Sequence, residues 1–292
     1  MSDRPNDPVE AARLSYAEEL RFTAHVRSAA LRAAFAAVPR ERFVGAGPWR
    51  VRSPMDLSGY WTTTDADPRA VYHDILIALD ESRQINNGQP SLWAFLLDQL
   101  DIAAGEQVLH LGCGTGYYTA VMAELVGPRG TVTAIEIDTG LAEKARIALE
   151  PWSYITVSNA DGSNLSFEPA DLIVASAGAT HPLTSWLDAL KPSGRLLFPM
   201  TANRRGGMLL VTREVEESFA AHFLCQVGFI DFSGARDPAT SRRLAAALAR
   251  DRGEEIQSLR RDSHAKDRTC WLHGKGWCLS RRPPVLTKSA AP

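Results

Sequence analysis

The segment 108–118 has the residue types and the spacing of a loop that binds a ligand with its main chain. An apolar run passes directly into Gly112, Gly114 and Gly116, and a helical pattern follows. Glycines let the backbone pass close to a ligand, and the free amides at the start of a helix favour electronegative groups. The segment is therefore predicted to hold a small polar ligand at the end of a buried strand.

A carboxylate supports this prediction, because Glu136 lies twenty residues beyond Gly116, at the end of the next predicted strand. A carboxylate at this place in a parallel sheet can accept hydrogen bonds from both ribose hydroxyls of a nucleoside. The glycine spacing is G-x-G-x-G, and it differs from the G-x-G-x-x-G of dinucleotide-binding proteins. The two features together favour S-adenosylmethionine as the ligand. Asp138 is a rival for the ribose, but its position favours a role as the cap of the next helix.

The elements that must position these residues alternate between strand and helix patterns. Helices are predicted over 90–100, 117–126, 139–150 and 182–190, and strands over 107–111, 131–136, 154–158, 171–175 and 194–199. Such repetition implies right-handed crossovers and a mainly parallel sheet with helices on both faces. Strand patterns over 207–213, 219–225 and 227–232 lack intervening helices and predict an antiparallel finish. The predicted fold class is α/β and Rossmann-like.

Three zones are predicted along the chain. Residues 1–89 form helices followed by loops with one or two short strands, residues 90–235 form the ligand-binding core, and residues 236–292 form a C-terminal extension. The extension is predicted to begin with a helix from Pro238 to about Leu259 and to contain a hairpin over 270–279. It either packs on the core or covers a cleft for a peptide substrate.

The order of motifs resembles the protein-L-isoaspartate O-methyltransferase family of class I methyltransferases, over roughly residues 28–235. The segments that carry the resemblance are VPRERFV at 38–44, GQP at 88–90, GCGTGY at 112–117, AIE at 134–136, NADG at 159–162, DLIVASA at 171–177 and LKPSGRL at 190–196. The resemblance implies the class I methyltransferase fold and S-adenosylmethionine as cofactor. It also implies a carboxylate on a peptide or protein as the methyl acceptor.

The resemblance assigns roles to individual positions. The methionine and ribose part of the cofactor would contact the loop residues, which are Gly112, Cys113, Gly114, Thr115 and Gly116. Glu136 would hold the ribose. Asp161 and Gly162 would lie beside the adenine, with Asp161 accepting from its amino group.

One position departs from the family pattern. The family has Ser or Thr two positions before Pro90, a hydroxyl that helps to hold the substrate carboxylate, and this chain has Gly88 there. A lost hydrogen bond to a charged group costs about 1.5 to 3 kcal/mol, which is roughly ten- to a hundredfold in rate. The neighbouring amides of Asn86, Asn87 and Gln89 can donate to a carboxylate instead. Asn87, Gly88 and Gln89 are therefore the predicted acceptor-side residues.

The need for a general base separates the possible acceptors. A carboxylate is already ionised at neutral pH and needs no base, whereas a hydroxyl acceptor needs one. The base candidates are His73 with Asp74, and His181, and each is more often a structural residue. We therefore expect carboxyl methylation of a peptide or protein. The alternatives are O-methylation of a small molecule or natural-product peptide, and cofactor binding without catalysis.

The cysteines and histidines near the C-terminus could form a metal site. C-x2-H-x4-C over 270–278, with His264 nearby, has the residue types of zinc ligands. Apolar residues alternate with them as in a packed hairpin, so the sequence favours a hairpin and no metal. Four cysteines in a chain of this length are too few and too scattered for a disulfide framework.

Composition excludes several functional classes. The 292 residues are 45% apolar with a net charge of −2, enough apolar residues to bury a core without disulfides. Residues 1–235 carry 19 basic and 28 acidic side chains, and residues 236–292 carry 13 and 6. The basic extension lacks regular aromatic interleaving, so no nucleic-acid partner is expected. No apolar run reaches the ~18 residues of a membrane span and no secretory segment is visible, which predicts a cytoplasmic protein without a membrane partner. The oligomeric state is not predicted.

Overall fold

The structure is a computed structural model, and it describes residues 7–56, 58–214 and 217–284. Its helices are α1 (Pro8–Thr23), α2 (Ala29–Ala37), α3 (Pro90–Leu100), α4 (Tyr117–Val126), α5 (Thr139–Ala148), α6 (Thr184–Asp188) and α7 (Pro238–Asp251). Short polar residues start several of them: the side chains of Asp7, Ser28 and Asp237 accept from backbone amides of the first turn. None of the helices in the described ranges is both long and apolar enough to span a membrane.

The strands fall into two sheets. They are β1 (Arg50–Arg52), β2 (Trp61–Thr62), β3 (Leu76–Asp80), β4 (Ile85–Asn86), β5 (Gln107–Leu111), β6 (Thr131–Glu136), β7 (Ile155–Asn159), β8 (Ala170–Ala175), β9 (Leu190–Ala202), β10 (Arg205–Arg213), β11 (Ser218–Gly228), β12 (Ser258–Arg260), β13 (Cys270–Gly274) and β14 (Trp277–Ser280).

The chain divides into two compact units. The first contains the described residues up to Gly105, together with Cys113–Val132 and Asp138–Val157. The second contains Glu106–Gly112, Thr133–Ile137 and the described residues from Ser158 onward. Each unit is assembled from separate segments of the chain, so the units do not correspond to the zones 1–89, 90–235 and 236–292. The three zones stay a prediction.

The first unit contains a small sheet that the sequence did not predict. The strand order is β2-β1-β3-β4 with antiparallel pairs, where loops with one or two short strands were expected. These strands have two to five residues each, too short for an alternating pattern to be visible. The first unit has an aromatic core in which Tyr16 packs edge-on against Phe35, and Phe43 packs against Tyr117 at a tilt of 58°.

The large sheet has the strand order β13-β14-β12-β11-β10-β9-β8-β5-β6-β7. β5 pairs with β8, and β8 with β9, in parallel, and every later pair from β9 to β13 is antiparallel. The α/β class with a parallel part and an antiparallel finish is confirmed. The finish is longer than expected, because the strands of the extension join the same sheet.

Two predicted elements near the extension were wrong in extent. The expected strand over 227–232 does not form, because β11 ends at Gly228 and only an isolated bridge joins Asp231 to Gly178. The helix α7 ends at Asp251 and not near Leu259. Arg252 and Gly253 both adopt positive φ, 56° and 75°, the left-handed conformation that ends helices.

The extension is part of the hydrophobic core of the second unit. Buried side chains of β8, α6 and β9 form one cluster with side chains of the extension, among them Leu244, Leu259, Trp271 and Leu279. Ion pairs also connect the extension to earlier residues of the second unit, since Arg261 pairs with Asp188 at 2.6 Å and with Glu217 at 3.1 Å. The predicted packing of the extension on the body of the protein is thus present.

Candidate active site

The predicted glycine loop forms a tight turn between β5 and α4. Gly112, Gly114 and Gly116 have φ values of 73°, 58° and 95°. A Cβ on Gly116 would lie 2.7 Å from Cδ1 of Leu149, so this position cannot carry a side chain without displacing its neighbour. None of the described side chains caps the start of α4. A helix start without a side-chain cap is the kind of site at which the sequence predicts a ligand.

The two side chains inside the loop, those of Cys113 and Thr115, are buried. The hydroxyl of Thr115 donates to the carbonyl of Phe43 over 2.6 Å, and its side chain is buried. Cys113 is also buried, and its carbonyl accepts from the amide of Gly116 at 2.9 Å. The hydroxyl of Thr115 is thus committed to a structural contact, and the part of this residue that could meet a ligand is its main chain.

Glu136 lies at the carboxyl end of β6 in the second unit, and its side chain is buried. Its carbonyl accepts from the side-chain amide of Asn159 at 2.8 Å and from the amide of Ala160 at 3.1 Å. The amide of Gly112 donates to the carbonyl of Ile135 over 2.8 Å. The sheet therefore brings Gly112 beside the strand end that carries Glu136, as the two motifs predicted.

Asp138, the rival carboxylate, has a structural role. Its Oδ1 accepts from the amide of Leu141 at 2.8 Å and caps α5, which confirms the prediction from its position. Its Oδ2 pairs with Nη1 of Arg83 at 2.5 Å. Both carboxylate oxygens of Asp138 are thus engaged within the first unit.

Asp161 and Gly162 form a turn in the second unit. Oδ1 of Asp161 accepts from the amide and the hydroxyl of Ser163, at 2.9 and 2.7 Å. A Cβ on Gly162 would lie 3.3 Å from Cζ of Phe232, and a Cβ on Gly234 would lie 2.0 Å from Oγ of Ser163. Phe232 and Gly234 therefore lie beside the turn 161–163. No sequence motif pointed to them, because they lie some seventy residues further along the chain.

The acceptor-side segment contains a glycine that packing requires. Gly88 has a φ of 77°, and a Cβ there would lie 2.7 Å from Nε1 of Trp93 and 3.0 Å from Cε2 of Tyr118. The carbonyl of Gly88 accepts from the hydroxyl of Tyr118 at 3.2 Å. The hydroxyl of the family pattern is therefore missing here, and aromatic rings fill the space that its side chain would need.

Arg40 holds the same segment from the other side, and the sequence did not single it out as a site residue. Its side chain is fully buried, and Nε donates to Oδ1 of Asn87 over 3.1 Å. Its other nitrogens donate to the carbonyls of Val71, His73 and Ile75 at 2.8 to 2.9 Å. Since Oδ1 of Asn87 is the acceptor for Arg40, Nδ2 is the end of this amide that faces the remaining surroundings as a donor.

Gln89 belongs to a polar cluster at the start of α3. Its Nε2 donates to Oγ of Ser91 over 2.8 Å and to Oδ2 of Asp74 over 3.3 Å. Asp74 also accepts from the amide and the hydroxyl of Ser91, at 2.8 and 2.7 Å. The sequence predicted Gln89 but missed Ser91, whose hydroxyl is three residues from Gly88.

The candidate bases do not form a catalytic pair. His73 is exposed and lines an open cleft of about 500 Å³ in the first unit, together with Asp65, Asp67 and Arg69. In the second unit, His181 stacks on Trp277 with ring centroids 6.3 Å apart, and burial lowers its pKa. His181 is thus a packed side chain.

His110 is a buried titratable group that the sequence did not indicate. Nε2 of this residue lies 2.8 Å from Oγ of Ser176, at the ends of β5 and β8. Burial lowers the pKa of His110 to about 3, so the imidazole is neutral at physiological pH.

Comparison with known proteins decides the family. A family profile described as protein-L-isoaspartate(D-aspartate) O-methyltransferase (PCMT) matches residues 14–237. The chain belongs to this family. The family match covers the helices of the first unit from Leu14 onward, the glycine loop and the large sheet as far as the start of the extension.

Individual relatives agree with the family match. The protein-L-isoaspartate O-methyltransferase 1 of Geotalea uraniireducens (strain Rf4) is 31% identical over 215 residues, 72% of this chain and 87% of the relative. That of Aeropyrum pernix is 33% identical over 202 residues, 68% of this chain and 70% of the relative. These values place the PCMT resemblance over most of both chains.

Solved structures give the same fold. A protein-L-isoaspartate O-methyltransferase structure matches with a TM-score of 0.64 and 25% identity, over 82% of this chain and 69% of that chain. A Plasmodium falciparum protein in complex with S-adenosyl-L-homocysteine matches with a TM-score of 0.61 and 14% identity, over 76% and 98%. The second likeness concerns the fold alone. The class I methyltransferase fold predicted from the sequence is confirmed.

The PCMT family uses S-adenosylmethionine, and the described residues fit this cofactor. A Cβ on Gly112 or Gly114 would lie no nearer than 4.0 or 3.8 Å to any described atom outside the adjacent residues, so both positions leave space beside the loop. The buried carboxylate of Glu136 lies at a strand end, where a ribose can be held. When bound, the cofactor supplies an electrophilic methyl group on its sulfonium sulfur.

Proposed function

We propose that this PCMT-family protein esterifies a carboxylate on a peptide or protein with the methyl group of S-adenosylmethionine. The observation that carries the proposal is the hydrogen bond of 3.2 Å from Tyr118 to Gly88. Tyr118 lies in the first turn of α4, directly after the glycine loop, and it supports the acceptor segment 87–89. One helix start thus serves both the loop and the acceptor segment within the first unit.

The cofactor roles follow from the family and from the site residues. We propose that the main chain of 112–116 contacts the methionine and ribose part, that Glu136 accepts from the ribose hydroxyls, and that Asp161 and Gly162 lie by the adenine. Asp161 keeps Oδ2 for this contact only in part, since Asn164 donates to that oxygen at 3.1 Å. Glu136 is therefore expected to contribute more to cofactor affinity than Asp161.

The reaction requires alignment more than proton transfer. A carboxylate oxygen attacks the methyl carbon in line with the carbon–sulfur bond, the ester bond forms, and the sulfur leaves as a neutral thioether. The acceptor is already ionised, so no proton has to move. The absence of a catalytic base from the histidines of the described site supports this choice over a hydroxyl acceptor.

Asn87 is the best candidate to replace the missing hydroxyl. Arg40 fixes the orientation of the Asn87 amide, so that Nδ2 is its donor end. Gln89 and Ser91 can donate only in competition with Asp74, which holds both. We propose that Asn87 orients the substrate carboxylate and that Gln89 assists.

Two carboxylates are candidates for the methyl acceptor. The relatives are named for isoaspartate, which makes an isoaspartyl carboxylate the first candidate. The packing of Trp93 and Tyr118 against Gly88 supports a second candidate, a differently recognised carboxylate on a natural-product peptide or a small molecule, because the family hydroxyl cannot be accommodated there.

The test follows labelled methyl transfer to an isoaspartyl peptide, its aspartyl twin and an asparaginyl control peptide. Base-labile label on the isoaspartyl peptide alone supports the first candidate. Base-labile label on the aspartyl peptide supports the second. Cofactor binding without transfer to either peptide directs the search to metabolite acceptors, and base-stable label contradicts carboxyl methylation.

A further inference from the structure

Four potential metal ligands meet in the extension of the second unit. His264, Cys270, His273 and Cys278 each offer one ligand atom, and these atoms all lie within 4.8 Å of one another. His264 lies in the loop between β12 and β13, and the other three belong to the hairpin β13–β14. The antiparallel register places His273 directly opposite Cys278. The fold thus brings the spacing H-x5-C-x2-H-x4-C to one point.

The distances within this cluster suit a tetrahedral metal. Sγ of Cys270 lies 3.6 Å from Nε2 of His264. Zinc bonds of about 2.3 Å to sulfur and about 2.0 to 2.1 Å to nitrogen, at tetrahedral angles, place such a pair about 3.5 to 3.6 Å apart. The rings of His264 and His273 have centroids 4.9 Å apart and are nearly perpendicular, at 88°. Both imidazoles can therefore direct a nitrogen to a shared ion without stacking.

Neighbouring groups orient the ligands. Nδ1 of His264 lies 2.9 Å from the carbonyl of Asp262, which can only accept, so Nδ1 carries the proton and Nε2 presents its lone pair toward Cys270. The amide of Asp267 donates to Sγ of Cys270 at 3.4 Å. Nδ1 of His273 is buried and has no hydrogen-bond partner within the described part of the chain. Such outer contacts are typical of metal ligands, and an unpaired buried nitrogen calls for a partner.

We propose that these four side chains bind one Zn²⁺ as a closed, structural Cys2His2 site. On binding, two zinc–sulfur and two zinc–nitrogen bonds form, and the two thiol protons pass to solvent. No electron is transferred, and the complex of Zn²⁺ with two thiolates and two neutral imidazoles carries no net charge.

The site would attach the loop 261–269 to the hairpin β13–β14. The apolar residues of the hairpin, Trp271, Leu272, Trp277 and Leu279, lie in the hydrophobic core. The sequence indicated a packed hairpin instead of a metal site, but the same hairpin supports both, because its core residues and its ligands are different side chains. The zinc is thus expected to stabilise the extension and not to take part in methyl transfer.

The first measurement is the metal content of the full chain, purified with a reducing agent and without chelators. We expect about one zinc per chain, as for a four-ligand structural site. The double variant Cys270→Ser/Cys278→Ser should lose this zinc, whereas Cys225→Ser, which changes a half-buried thiol of β11, should retain it. Zinc retained by the double variant, or lost equally in Cys225→Ser, would overturn the proposal.

A second measurement covers the case in which the double variant does not fold. The wild-type chain is stripped with a chelator and titrated with Co²⁺ alone, and then with Zn²⁺. We expect one equivalent to give intense visible bands and a sulfur-to-metal charge-transfer band, which Zn²⁺ then abolishes. A folded wild-type chain that binds neither ion, or that contains a Cys270–Cys278 disulfide after reducing purification, would contradict the proposal.

Discussion

The hydroxyl of Tyr118 donates to the carbonyl of Gly88 over 3.2 Å, and the ring of Tyr118 stacks on Trp93 with centroids 4.8 Å apart. Gly88 therefore lies under two aromatic side chains, one from α4 and one from α3. Because α4 begins at the glycine loop, the packing of Gly88 depends on the same helix that is proposed to present amides to the cofactor. The packing of α3 and α4 in the first unit therefore requires a glycine at position 88.

Replacing Gly88 with serine should not restore the family hydroxyl. The new Cβ would lie 2.7 Å from Nε1 of Trp93, and the residue would keep a φ of 77°. We expect Gly88→Ser to lower the free energy of unfolding by roughly 2 to 4 kcal/mol, from backbone strain and overpacking together. Chemical denaturation measures this, and methyl transfer should fall as well.

Gly105→Ser is the matched control for this change. Gly105 has a φ of 90°, but no atom of the described residues, apart from its chain neighbours, lies within 4 Å of a Cβ built there, so only the backbone strain remains. A Gly88→Ser variant that is as stable as Gly105→Ser and gains activity on an isoaspartyl peptide would show that the aromatic packing yields to the hydroxyl.

The two carboxylates at the end of β6 should respond differently to mutation. Glu136→Gln removes the charge proposed to hold the ribose and should weaken S-adenosylmethionine binding roughly ten- to a hundredfold. Asp138→Ala removes the cap of α5 and should cost about 1 kcal/mol of stability, with cofactor affinity unchanged. Calorimetric titration with the cofactor, together with thermal unfolding, separates the two effects. Equal affinity losses in both variants would contradict the assignment of Glu136.

Arg40 should act on the acceptor segment through its hydrogen bonds. Arg40→Lys cannot reproduce the donors to Asn87 and to three carbonyls, and it leaves a buried charge with fewer partners. We expect a stability loss of roughly 3 to 5 kcal/mol. At temperatures where the variant is folded, methyl transfer should fall more than cofactor affinity. The neighbouring exposed Arg42 offers the control Arg42→Lys, which should leave both near wild type.

The buried imidazole of His110 should make the fold sensitive to acid. Its folded pKa of about 3 lies below the value of about 6.5 in an unfolded chain, so the unfolded state binds the proton first as the pH falls. The stability that the neutral His110 contributes is fully present above pH 6.5. It is lost progressively as the pH falls toward 3, by up to about 1.4 kcal/mol per pH unit.

A variant isolates this effect. His110→Gln keeps a polar partner for Ser176 but does not titrate, so its free energy of unfolding should fall less steeply between about pH 6 and pH 4. His25→Gln, the same substitution at an exposed histidine, is the matched control. Denaturation curves at several pH values measure the slopes, and identical slopes for all three proteins would contradict burial of a neutral His110.

The elements around the glycine loop were predictable because their patterns are long and strongly apolar. The strand 107–111, the helix 117–126 and the strand 131–136 appear at the predicted residues. The helix cap at Asp138 was also predictable, since an aspartate before a helical pattern has a local role. These features depend on neighbours in sequence, and their placement needs no knowledge of the tertiary fold.

The rest of the candidate site depends on contacts between distant segments. The burial of Arg40 could not be inferred, because arginine is usually exposed and its partners lie 31 to 47 residues away. The crowding of Gly88 by Trp93 and Tyr118 likewise follows from tertiary packing. The four potential metal ligands were visible in the sequence, which favoured a hairpin without metal, because only the fold shows that His264, in a loop without periodicity, meets the hairpin.

The strand order of the extension determines when the large sheet can be completed as the chain is synthesised. β14 lies between β12 and β13, so β13 cannot take its place at the sheet edge until the chain through Ser280 has left the ribosome. The family match ends at residue 237, and a nonsense mutation between β12 and β14 would spare all of it. The shortened chain would nevertheless lack Trp277 and Leu279 from its hydrophobic core. Such a product would carry the matched region of a methyltransferase and still be a substrate for quality-control proteases.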